Sequence, residues 1–182
     1  MFKSLKSLKE LVFTKVCIAC AAPEFWLCPT CLLPWNISVK KNCIGGKPIY
    51  FKCDYTSKTA SVILAAKESN DLNAIALLAS SISQSIIFSI SDLGLSGVIT
   101  LITIPSSPSA IRRRGRDHIK TLAESVQKDL QQKSITAYYA PILFQKKSIR
   151  DQSQLNSQQR MQNTKGKFVV KSCEIPQGAV YL

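Results

Sequence analysis

The chain has 182 residues, room for one ordinary domain or for a small module followed by a medium one. Apolar residues make up 46% and charged residues 19%, the balance of a globular protein, which excludes wholesale disorder. Lysine and arginine number 24 against 11 acidic residues, a formal charge of +13. That excess favours a polyanionic partner (nucleic acid, anionic membrane or phosphorylated small molecule), with charge that only aids solubility as the bland alternative.

Met1 to Phe13 contains Lys3, Lys6, Lys9 and Glu10, so it lacks the unbroken apolar core of a secretory signal. Phe2, Leu5, Leu8, Leu11 and Val12 share one face, the pattern of a short amphipathic helix that packs on its neighbour or lies on a membrane or DNA. Two tight cysteine pairs follow. Residues Lys40 to Pro48 (KKNCIGGKP) then form a Gly/Pro/Lys punctuation point. They predict a division into an N-terminal helix with a cysteine module over 1–46 and an α/β domain over 47–182.

In that second part, Ile49 to Tyr55 reads as a strand and Ser57 to Glu68 as a helix. Leu72 to Ile90 carries large apolar residues at three- and four-residue steps, with serines opposite. It is the pattern of a buried amphipathic helix more than of a membrane span. Val98 to Ile104 (VITLITI) is a β-branched run expected of a buried parallel strand, and it stops at Pro105. A helix is expected from about Pro108 to Leu130 with a break near Gly115, then a strand region over Ile135 to Phe144. Asp151 to Asn163 is a polar, Gln-rich helix or loop, and Phe168 to Val170 and Ala179 to Leu182 are strand-like. Alternation of this kind predicts an α/β domain with a mainly parallel sheet.

Cys17-Ile-Ala-Cys20 and Cys28-Pro-Thr-Cys31 place two CxxC pairs within fifteen residues. Each pair offers two thiolates from one tight turn, and two pairs complete a tetrahedral shell with Zn–S bonds of about 2.3 Å. The spacing predicts a closed structural Zn²⁺ site whose small module folds with its metal. An odd total of seven cysteines in this arrangement fits a reducing compartment, the cytoplasm. Cys43, Cys53 and Cys173 have no partner at ligand spacing and read as small apolar residues.

A second constellation is Ile104-Pro105-Ser106-Ser107-Pro108 followed by Arg112, Arg113, Arg114, Gly115 and Arg116. It puts cations where a buried strand empties into a turn, the edge at which α/β sheets bind ligands, and Arg forks suit phosphate oxygens. A solvated basic face or a nucleic-acid patch fits the same residues. The segment Arg150-Asp151-Gln152-Ser153-Gln154-Leu155, with Arg160 and Asn163, suggests a functional loop or a surface helix. Gly45-Gly46-Lys47-Pro48 lacks the spacing of a P-loop.

The order of these segments resembles the ComF family: a short helix, a paired-cysteine zinc module, a lysine helix (here Leu64-Ala65-Ala66-Lys67-Glu68) and a strand ending near Ser106 and Ser107. Arg114-Gly115-Arg116-Asp117-His118 is similar to the family's Arg-Gly-Phe-Asn-Gln with three substitutions, and Arg150 to Leu155 with Arg160-Met161-Gln162-Asn163 matches its following segment closely. The resemblance implies a type I phosphoribosyltransferase-like fold. It places Ser106, Ser107, Arg114, Arg150 and Gln152 around the phosphates of a 5-phosphoribosyl diphosphate–Mg²⁺ complex. It further implies a role in DNA uptake, with single-stranded DNA or an uptake helicase as partner. In the family a strand like Gly178 to Leu182 runs into two acidic residues and a Thr-Thr-Gly phosphate loop. The sequence stops at Leu182, so the expectation is an incomplete version of the fold, marginally stable and without transferase activity.

Overall fold

The structure, a computed structural model, describes residues 15–146, 149, 155–171 and 178–182. The chain forms two compact units, Met1–Phe88 and Ser89–Leu182, divided within a long helix.

The first unit opens on a loop in which an antiparallel bridge joins Val16 to Pro23. Helix α1 (Pro29–Asn36) follows with Pro29 in its first turn, where a missing N–H costs nothing, and it buries Cys31 and Trp35 one turn apart. Strands β1 (Lys40–Ile44) and β2 (Lys47–Phe51) then form an antiparallel hairpin. Its two-residue turn is Gly45-Gly46, both at positive φ (58° and 76°), the conformation a hairpin turn of this length requires. The punctuation at residues 40–48 is therefore a hairpin, and the boundary expected between 46 and 47 falls at its turn.

Helix α2 (Ser57–Leu64) starts with a reciprocal cap: Thr56 accepts from the Thr59 N–H, and the Thr59 hydroxyl accepts from the Thr56 N–H. The helical register then widens into a π turn, Ala65–Ser69, which ends at Asn70 in the left-handed region. The single helix expected over 57–68 is thus two pieces. Helix α3 (Leu72–Leu93) is long and apolar enough to cross a membrane, and 44% of its most apolar stretch is buried.

The serines of α3 are not the exposed face the pattern suggested. Ser81, Ser83, Ser85 and Ser89 are buried, whereas Leu72 and Ile82 are exposed. Burial is affordable because the hydroxyls are satisfied: Ser81 donates to the Leu77 carbonyl (2.8 Å), Ser85 to that of Ser81 (3.1 Å) and Ser89 to the Tyr181 hydroxyl (2.8 Å).

The second unit is built on β3 (Ile99–Leu101), all three residues buried and flanked by parallel β4 (Ala137–Tyr139) and β7 (Ala179–Tyr181) in the order β4-β3-β7. This is the mixed α/β architecture expected, with a small parallel sheet. Helices α4 (Pro108–Arg114) and α5 (His118–Gln132) follow β3. Gly115 between them takes φ 69°, so the expected break becomes two helices. Ala123, Val126 and Leu130 recur at helical spacing and form the buried stripe of α5, which packs on β4.

The strand region expected over Ile135–Phe144 splits into two. Pro141, with no N–H to donate, separates β4 from β5 (Leu143–Gln145). Strand β5 pairs antiparallel with β6 (Phe168–Val170), on the far side of the polar helix α6 (Ser157–Thr164).

Candidate metal centre

The four cysteines of the paired motif meet. Their Sγ atoms all lie within 4.8 Å of one another, and Cys20 and Cys28 are 3.6 Å apart. A tetrahedron with metal–sulfur bonds of about 2.3 Å has sulfur–sulfur edges of about 3.8 Å, so the set is close to the size a metal ion demands.

The local sequence explains how two distant turns converge. The Cys17 N–H donates to the Ala22 carbonyl (2.7 Å) and the Ala21 N–H to that of Cys17 (2.8 Å), closing the first turn with Ala21 in the left-handed region. The Ile18 N–H then donates to the Trp26 carbonyl (3.0 Å), drawing the second pair alongside. The Cys28 N–H points at the Cys17 sulfur (3.3 Å), and Cys31 is carried inward on the first turn of α1. Cys17, Cys28 and Cys31 are buried and Cys20 is exposed, so the site has one open side.

Electrostatics favours a cation here. Burial pushes the Cys17 thiol up, but N–H donors from Cys28, Ala19 and Cys20 outweigh it and bring it down to about 6. Burial, joined by the neighbouring sulfurs of Cys20, Cys28 and Cys17, pushes the Cys31 thiol up to about 12. Four negative sulfurs packed this tightly repel one another, and a divalent cation removes that cost. All four side chains offer soft thiolate donors, which suits a borderline or soft metal ion in a structural role. The remaining described cysteines stay outside: Cys43 is exposed and Cys53 half-buried. Cys173 lies outside the described residues.

Beyond the end of β3, Ser106 and Ser107 are half-buried, as is Arg114 in the last turn of α4. Ser107 caps α4, accepting from the Ala110 N–H at 3.2 Å. Arg112, Arg113 and Arg114 sit at the helix's carboxyl end, where cations complement the dipole. Arg150 and Gln152 lie outside the described residues.

Sequence reading missed the partners of Ser106. Its hydroxyl donates to Asp117 Oδ1 (3.2 Å) and lies 3.4 Å from His118 Nδ1. Asp117 also caps α5, accepting from the N–H groups of Ile119 and Lys120. The signal available was an aspartate directly before a helical apolar period, a helix start. Lys67, from the lysine-helix segment, lies in the π turn beside Glu68 (3.8 Å).

Fold and site together define a mixed α/β protein with a loop whose four cysteines could hold a metal ion. Compared with known proteins, the chain matches no family model and no curated protein.

Proposed function

We propose that the chain is a ComF-type protein: a phosphoribosyltransferase-like α/β scaffold whose four cysteines hold one structural zinc ion. It serves in the cytoplasm as an accessory factor in DNA uptake, binding single-stranded DNA alongside an uptake helicase. The observation that carries this reading is the convergence of Cys17, Cys20, Cys28 and Cys31 ahead of a parallel sheet in a chain of charge +13. Zinc is the metal of choice for a closed S₄ shell in a structural role. Metal analysis of the purified protein should return close to one zinc per chain, and Cys28→Ser should abolish it. Retention of zinc by that variant would sink the assignment.

DNA binding is tested with a labelled single-stranded oligonucleotide across a salt series. The expected affinity falls steeply with salt, by roughly 0.7 in log–log slope for each phosphate neutralised. Binding that is absent or indifferent to salt contradicts the proposal.

A second reading, a phosphoribosyltransferase using phosphoribosyl diphosphate with Mg²⁺, is favoured by Ser106, Ser107 and Arg114 following the carboxyl end of β3. Against it, the Asp117 carboxylate stands on Ser106 and opposes an anion there. Calorimetry with phosphoribosyl diphosphate and Mg²⁺ separates the two: heat of binding favours the transferase, none the scaffold.

A further inference from the structure

The hairpin β1–β2 plays no part in the cysteine cluster or in the cluster after β3. It is nevertheless one-sided in charge. Between Lys40 and Lys52 there are four lysines and no acidic residue. Residues 41–49 are all exposed. Directly paired residues of an antiparallel ladder share a face. The register therefore puts Lys40, Lys47 and Phe51 on one face and Lys41 and Tyr50 on the other.

The second face turns toward α3 at its base. The Tyr50 ring is 6.1 Å from Phe88, and Lys52, next but one along β2's course, donates to Gln84 Oε1 at 2.6 Å. The first face therefore points outward. On it the Lys40 ammonium lies 5.9 Å from the Phe51 ring centre and is also held by Asp54 at 2.5 Å.

The residue after Asp54 is Tyr55, whose ring is 79% exposed. An aromatic so exposed gains nothing from the hydrophobic core, yet its position is fixed on both sides. Asp54 anchors it to β1, and the Thr56–Thr59 cap of α2 holds the next residue. The result is an exposed aromatic one residue beyond the Asp54–Lys40 tie.

We infer that this outward face is a track for single-stranded nucleic acid, with Lys47 neutralising a phosphate, Lys40 exchanging its Asp54 partner for another, and Tyr55 stacking on a base. The inference rests on the DNA-binding reading above and gives it a location. Charge complementarity selects a polyanion. An exposed ring on the residue after Asp54, the partner of Lys40, selects one with unstacked bases, because a duplex keeps its base faces covered while a single strand offers them. An anionic membrane is a poorer match, since the ribbon's exposed apolar residues on that face, Ile44 and Ile49, are only two.

The test is fluorescence anisotropy of the zinc-loaded full chain with a labelled oligothymidylate of about twenty nucleotides, over a salt series. Tyr55→Ala should weaken binding about tenfold and Tyr55→Phe should restore it, because stacking needs the ring and not the hydroxyl. Lys47→Gln, which leaves the Lys40–Asp54 pair in place, should lower the salt slope by roughly 0.7, one phosphate's worth. The same single change on α5, Lys128→Gln, should leave it within about 0.3, which separates location from net charge. Circular dichroism and zinc content check that each variant is folded.

Intact protein that binds while the hairpin variants bind equally well overturns the track and leaves the DNA-binding reading standing. Intact protein that does not bind at all overturns both. If the hairpin changes instead abolish binding to phosphatidylserine vesicles and leave oligonucleotide binding alone, the partner is a membrane and the inference is wrong.

Discussion

At Gly178 the backbone takes φ 86°, and a Cβ there would stand 2.0 Å from the Val98 carbonyl oxygen. That carbonyl accepts from the Ala179 N–H at 3.2 Å and so helps seat β7 against β3. An alanine must both adopt a left-handed conformation and push the strand away, so neither relief is open to it. Gly178→Ala should therefore destabilise the protein by about 2 kcal/mol or more, read as a shift in the urea midpoint. A change below about 0.5 kcal/mol would mean β7 is not seated as described. Among the described residues, the two thiols outside the cluster differ for a residue-level reason too. Burial pushes the Cys53 thiol up and the Asp54 charge adds to this, only partly opposed by Lys40 and Lys52. Cys43 is exposed on β1. With metal bound, iodoacetamide near pH 8 should label Cys43 well before Cys53, because the thiolate is the nucleophile and Cys53 is the thiol kept protonated. Peptide mass analysis over a time course decides it, and labelling in the reverse order contradicts the placement of Cys53.

The elements are joined by a few polar ties, of which Asp71 is the most exposed to test. One carboxylate oxygen accepts from the Ala74 N–H (2.9 Å) and caps α3, while the other accepts from the Trp26 indole (3.0 Å) in the cysteine loop. Asp71→Ala removes both, at about 1 kcal/mol for the cap and about 1 kcal/mol for the hydrogen bond. The expected result is a lower melting temperature together with a changed Trp26 emission. A variant that loses stability with unchanged emission would show that the tie to Trp26 is absent. Asp71 also marks how far the sequence could be read. The cysteine site was legible because its constraint is local, two CxxC turns seven residues apart. The strand Val98–Ile104 was legible as a buried run, but only Ile99–Leu101 pairs, since the ladder's length is set by β4 and β7, which lie distant in sequence. Strand β1 was not legible. KKNCI is exposed at four of five positions, so no apolar alternation reports it, and only the Gly45-Gly46 turn and the pairing with β2 make it a strand. The α3 serines were misread for a related reason: polarity predicted exposure, and the local acceptors that make burial tolerable are visible only in three dimensions.

At the scale of the molecule, the bonds that hold the sheet and those that hold the cysteine loop are separate sets. Strands β3, β4 and β7 pair with one another, all within Ser89–Leu182. The cysteine loop has little apolar mass of its own: its buried side chains are Cys17, Leu27, Cys28, Cys31 and Trp35. A module of that size depends on its metal for folding. Chelation should therefore raise hydrogen exchange across residues 15–36 and in the first turn of α3, which Asp71 ties to that loop, while β3, β4 and the buried stripe of α5 keep their protection. Loss of protection throughout would mean that the loop and the sheet unfold as one cooperative unit. Charge adds a second reading to the same experiment. A zinc ion on four thiolates contributes about −2, so releasing it with protonation of the cysteines makes the chain more positive, not less. If oligonucleotide binding weakens on chelation, electrostatics cannot be the cause, because the attraction for a polyanion has grown. The loss would have to come from disorder that reaches beyond the loop, which raised exchange over residues 40–51 in the same experiment would reveal. Binding that strengthens on chelation is the outcome expected when the hairpin keeps its order and only the net charge rises.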